Sequence, residues 1–171
     1  YSKMMGMSGN IPLTNGTVLA YFDATTTRLR MRLLNGSNAS TYNLALSNGH
    51  DFSQIATDGG LLESPVSLKV LRLSPGERAE IIVDLQAGKA VNLINVSLNQ
   101  GDDNAPQFNF LDIRPQASLA ASEELPDLLT QIDWLKESDA TVTRTFSLET
   151  SMAMMSSGAS INGKVMDIGR I

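Results

Sequence analysis

Thr27-Arg28-Leu29-Arg30-Met31-Arg32-Leu33-Leu34-Asn35-Gly36-Ser37 carries the clearest structural statement in the chain. Apolar and basic residues alternate from Thr27 to Leu33, and a period of two sends one set to each face of a strand, here with one wet face. Asn35-Gly36 then closes the run with a dipeptide that accepts the positive φ angles of a tight turn. The same grammar extends outward. Residues 41–47 alternate with Tyr42, Leu44 and Leu46 on one side, and Asn48-Gly49 turns the chain into a strand over 51–57. Asp58-Gly59-Gly60 breaks that strand, and 64–73 resumes with Val66, Leu68 and Val70 on one face. Ser74-Pro75-Gly76-Glu77 reads as a turn with proline at its first corner. Residues 79–85 are apolar enough for a central strand, 86–89 turn, and 90–98 and 107–113 are further strands, with Phe108 and Phe110 pointing inward. No useful helical period occurs between residues 12 and 115, so the fold class is an all-β, Greek-key sandwich.

Past Arg114-Pro115, where the last strand is expected to stop, the character changes. Residues 117–124 form an Ala/Ser-rich linker, and 126–134 predict a short helix, because proline suits its first turn and aspartate its N-terminus. Residues 141–150 read as one more strand. The tail has too little apolar surface for a second domain. The expected organisation is therefore a sandwich over 1–115, a linker with a short helix over 116–140, and a connector that opens another domain over 141–171.

Composition narrows function by exclusion. With 171 residues, 42% hydrophobic and 18% charged, the chain can bury one ample core. Its net charge is −5 and its 13 basic residues are scattered, which argues against nucleic acid or an anionic membrane as partner. No apolar run approaches the roughly 20 residues of a membrane span. The first residues lack the apolar core of a signal peptide. There is no cysteine and one histidine, so disulfides and thiolate chemistry are excluded. A type 1 copper site needs two His and a Cys, and catalytic zinc needs two or three His, so this chain builds neither alone.

The stretch from Leu29 to Ala39 resembles the middle domain of bacterial three-domain multicopper oxidases. So do Thr57-Asp58-Gly59-Gly60-Leu61-Leu62 and Leu73-Ser74-Pro75-Gly76-Glu77-Arg78-Ala79-Glu80-Ile81-Ile82-Val83-Asp84, with Leu13-Thr14-Asn15-Gly16 upstream and Ile161-Asn162-Gly163 downstream. The likeness is to the copper-efflux, laccase-like branch, periplasmic enzymes that oxidise cuprous ion. It implies a cupredoxin-like sandwich that is non-catalytic itself, joins copper-bearing domains and shapes the substrate side of a cuprous-ion or phenol oxidase. Copper then belongs to the full-length parent, and the partners are the flanking cupredoxin domains. A copper-free relative acting in cell division shares the architecture and supplies the alternative. An excised domain with uncovered docking surfaces would also associate with itself.

His50, beside a hairpin and without a partner ligand, reads as a turn residue rather than a copper ligand. Asp58 reads as the cap of the Gly59-Gly60 turn rather than a catalytic carboxylate. Arg28, Arg30 and Arg32 form a solvated or docking face. The Asn-X-Ser/Thr triplets at Asn15, Asn35, Asn38 and Asn95 read as structural asparagines, three of them in turn contexts or in the resemblance's motif.

Two methionine clusters stand out: Met4, Met5 and Met7, then Met152, Met154 and Met155, both in Ser/Gly-rich segments. Thioether sulfur is a soft ligand suited to cuprous ion. Met152, Met154 and Met155 therefore form a candidate cuprous-ion substrate site, and flexible apolar filler is the alternative.

Overall fold

The alternation centred on Met31 folds as its period demands. In the computed structural model, which describes residues 9–97, 108–150 and 159–165, Met31 is buried, Leu29 and Leu33 pack on the core, and the arginines between them face solvent. The chain divides into two units, Tyr1–Ile132 and Asp133–Ile171.

The first unit contains β1 (Tyr21–Thr26), β2 (Arg28–Leu34), β3 (Tyr42–Leu46), β4 (Phe52–Thr57) and β5 (Gly60–Leu68). It continues with β6 (Leu71–Leu73), β7 (Arg78–Asp84), β8 (Val91–Asn95) and β9 (Asn109–Ala120). One sheet runs β1-β9-β8-β3-β6 and the other β2-β7-β4-β5. Their inner faces supply a shared core in which Ile81, Val83 and Ile113 are fully enclosed. Non-consecutive neighbours within each sheet give the Greek-key crossovers. The cupredoxin-like β-sandwich is the observed fold.

Four local expectations change. The run over 64–73 is not one strand, because β5 pairs with β4 in one sheet whereas β6 pairs with β3 in the other. The chain crosses between sheets near Lys69-Val70, and Val66 is exposed on the edge strand. The last strand does not stop at Arg114-Pro115 but runs on to Ala120, beyond the expected boundary at 115. Asp112 donates its N–H to Ala20 O, so by alternation the nitrogen of Pro115 faces away from β1. On that side the register with β8 has already ended at Val91↔Ile113, and a proline there costs no ladder bond.

The expected helix over 126–134 is absent. Nine residues cannot repay helix nucleation without a packed face, and the backbone is held otherwise: Leu129 N–H donates to Glu63 O at 2.7 Å and Ile132 N–H to a Glu63 carboxylate oxygen. A single 3-10 turn at Glu137–Asp139 is the one helical element among the described residues.

In the second unit the strand expected over 141–150 shrinks to β10 (Leu148–Thr150). It pairs with β11 (Ala159–Ile161), which pairs with β12 (Lys164–Val165). Residues 141–147 have no ladder partner among the described residues, and β-branched composition alone does not make a strand.

Candidate functional site

Where the inner faces part beside β2, a pocket of about 710 Å³ opens in the first unit. Its apolar wall includes Met31, Leu44, Leu93 and the aromatic trio Tyr42, Phe108 and Phe110. The Tyr42 and Phe110 rings meet edge-on at 4.8 Å between centroids, with Phe108 at 6.0 Å from Phe110. This is the favoured quadrupole arrangement and it fixes the wall. The volume is in the range of small-molecule sites.

Asn35 organises the polar rim. Only 4% exposed, it donates from Nδ2 to Ser40 O at 2.7 Å and to Leu73 O at 2.9 Å, while its Oδ1 accepts the Ser37 N–H at 3.0 Å. Nearly every bond a side-chain amide can make is used, so this buried asparagine pins the 35–40 loop to the end of β6. Sequence reasoning marked Asn35 as a turn residue. Its burial follows from the approach of Leu73, which lies far along the chain.

The outer face of β2 is charge-matched to β7. Arg28 pairs with Asp84 at 2.8 Å, Arg30 donates from Nε to Glu80 at 2.7 Å, and Arg32 reaches the other Glu80 oxygen at 3.5 Å. Asp58 does not cap its own glycine turn. Its carboxylate accepts the Nε–H of Arg78 at 2.7 Å and the Arg78 backbone N–H at 3.2 Å. The Arg78 side-chain bond, reinforced by the backbone N–H, lowers the Asp58 pKa below its ordinary value. His50 is exposed, and its N–H donates to Asn48 Oδ1 at 3.1 Å in the expected turn role. Asn95 is buried and accepts the Asn43 N–H at 2.8 Å. Glu63, which anchors the 129–132 segment, had no sequence signal.

Met152, Met154 and Met155 lie outside the described residues, as do Met4, Met5 and Met7. Among the described residues, no three His, Asp or Glu side chains converge. The pocket offers apolar enclosure with hydrogen-bonding groups at its mouth. Among its described lining residues there is no nucleophile–base pair.

Residues 14–112, more than half of the chain, match the multicopper oxidase family. The chain belongs to the multicopper oxidase family. It is 40% identical over 119 residues to the laccase of Bacillus subtilis (strain 168), an alignment that takes in 68% of this chain and 23% of the laccase. It is 31% identical over 176 residues to the cell division protein FtsP of Edwardsiella tarda, covering 97% of this chain and 36% of FtsP. The solved structure of the laccase-like multicopper oxidase CueO from Ochrobactrum sp. superposes with a TM-score of 0.80 at 28% identity, over 99% of this chain and 40% of that one. The chain thus spans between about a quarter and two-fifths of the length of these relatives.

The donor set can be tested against the copper that the family name implies. A single imidazole, that of the exposed His50, and no thiol do not fit a type 1 centre, which needs two His and a Cys. This part of the family sequence is a cupredoxin sandwich without the ligands of a blue copper.

Proposed function

We propose that the chain is the non-catalytic middle domain of a multicopper oxidase, joining copper-bearing cupredoxin domains and shaping the substrate side of a cuprous-ion or phenol oxidase. The observation that carries this reading is the coincidence of family membership with a donor set too small for type 1 copper. The sandwich through β9 forms the domain, the following segment up to 140 links it, and 141–171 opens the next one. Copper resides in the flanking domains of the parent, which is periplasmic, like the copper-efflux branch that the sequence resembles.

Met152, Met154 and Met155 form the cuprous-ion substrate site of that parent. Soft thioethers select the reduced ion and leave cupric ion to harder ligands. In the isolated chain the affinity is weak, because a few sulfurs must offset the cost of ordering their segment.

The test has two arms. Loaded with cupric ion, the purified chain develops no intense thiolate-to-copper absorption and no oxidase activity; a blue chain would overturn the assignment. In the full-length parent, Met152→Leu, Met154→Leu and Met155→Leu together keep volume and remove sulfur. Selective loss of cuprous oxidation with phenolic turnover kept supports the site. Equal losses, or none, reject it.

A second reading, a cell-division scaffold without redox chemistry, is favoured by the match to FtsP along nearly the whole chain. The parent's copper content decides between the two: His-X-His pairs upstream with a His-Cys-His string downstream and bound copper mean oxidase, and their absence means scaffold.

A further inference from the structure

Four Asn-Gly pairs, Asn15-Gly16, Asn35-Gly36, Asn48-Gly49 and Asn162-Gly163, share one dipeptide and differ in what holds the asparagine. Asn35 is buried with three hydrogen bonds on its amide. Asn48 Oδ1 accepts the His50 N–H, and the Gly49 N–H donates to Leu46 O at 2.9 Å. Asn162 Oδ1 accepts the Ser147 N–H at 2.7 Å, and its own N–H donates to Ser147 O. Asn15 differs from all three. Its side chain is exposed and makes no hydrogen bond among the described residues, and the same holds for the Gly16 N–H.

We infer that Asn15 is a site of spontaneous covalent modification, the position at which this protein deamidates first. The Gly16 amide nitrogen, after losing its proton to solvent base, attacks Asn15 Cγ. A new C–N bond closes a succinimide, and the side-chain nitrogen departs as ammonia. Water then opens the ring at either carbonyl, leaving aspartate or isoaspartate at position 15. Neither oxidant nor enzyme is required. Glycine after the asparagine removes the Cβ that would hinder attack, and the turn at 14–17 is closed by only two backbone bonds, Thr14 N–H to Thr17 O and Thr17 N–H to Thr14 O, each 3.0 Å. Such exposed, sparsely bonded turns open at little cost.

The modification has a structural consequence. Asn15 lines the mouth of the apolar pocket, and the neighbouring Thr14 Oγ1 donates to Phe110 O at 2.6 Å, next to the aromatic wall. A carboxylate at position 15 places negative charge at that mouth. Isoaspartate also inserts a methylene into the main chain, which breaks the 14–17 pairing that holds Thr14 against β9.

The experiment is ageing of the chain in mildly alkaline buffer, natively and in urea, followed by peptide mass mapping with isoaspartate resolved chromatographically. Natively, position 15 converts first and position 35 last, by at least about tenfold, because each hydrogen bond that must break slows the attack. In urea the four positions converge. Asn48 or Asn162 converting ahead of Asn15, or the native ranking persisting in urea, overturns the inference. Asn15→Gln, which cyclises far more slowly, removes the early product; an unchanged yield of early product would likewise reject the site.

Discussion

The carboxylate of Asp58 receives both the side chain and the backbone of Arg78: Nε–H at 2.7 Å and the main-chain N–H at 3.2 Å. The residue just past the end of β4 thereby ties itself to the first residue of β7, the strand beside β4 in the sheet. The pair is exposed, and its effect shows as a pH dependence.

Because these bonds lower the Asp58 pKa, the folded state binds the proton less tightly than the unfolded one. The stabilising contribution is present above the ordinary carboxylate value, about 3.9, and is lost as pH falls through the lowered folded value. In thermal melts across the acid range, Asp58→Asn loses stability relative to wild type at neutral pH, and the gap closes at the acid end. A gap independent of pH would show that the charge is irrelevant.

Asn35→Ala removes three bonds from a buried loop, those its amide donates to the carbonyls of Ser40 and Leu73 and the one it accepts from the Ser37 N–H. Urea unfolding should show a loss of about 2–4 kcal/mol. Asn38→Ala, on the exposed side of the same loop, should stay within about 0.5 kcal/mol. Similar costs at the two positions would deny Asn35 its anchoring role.

Leu19 holds a φ of 55° and is 77% exposed. A left-handed leucine costs about 1–2 kcal/mol, and little burial offsets it here. Leu19→Gly should stabilise the chain by roughly 1 kcal/mol, less the flexibility glycine adds to the unfolded state. Destabilisation in the same urea assay would mean that this leucine has a packing partner.

The second unit exposes Leu135, Val142, Phe146 and Leu148, an apolar surface that water does not reward. Sedimentation velocity should reveal weak, concentration-dependent self-association, reduced in a chain carrying Leu135→Ser with Phe146→Ser. A strict monomer over the whole accessible range would contradict this.

The sandwich was legible wherever one strand face enters the core. Residues 28–34 and 78–84 alternate because Met31, Ala79, Ile81 and Val83 must point inward. β1 escaped notice because only Ala24 of Tyr21–Thr26 is buried, which leaves no pattern to read. The tail of β9 was hidden by Pro115, whose consequence depends on the side of the strand its nitrogen faces. The Asp58–Arg78 pair and the pocket arise from sheet pairing and from a gap between sheets. Neither leaves a trace in local sequence. The turn role expected for His50 was legible because the bond from its N–H to Asn48 is local.

The charged ladder on β2 bears on a hazard of all-β proteins. Among the described residues β2 ends its sheet with β7 as its one ladder neighbour, and the edge beyond Arg28, whose N–H donates to Ser122 Oγ, could template another strand. A second copy adding there antiparallel would set arginine against arginine on the outer face, with only Glu80 and Asp84 to answer three guanidinium groups. The alternation that builds the strand also makes it a poor seed for edge-to-edge growth. The arginines at 28, 30 and 32 thus disfavour pairing of this strand with a copy of itself.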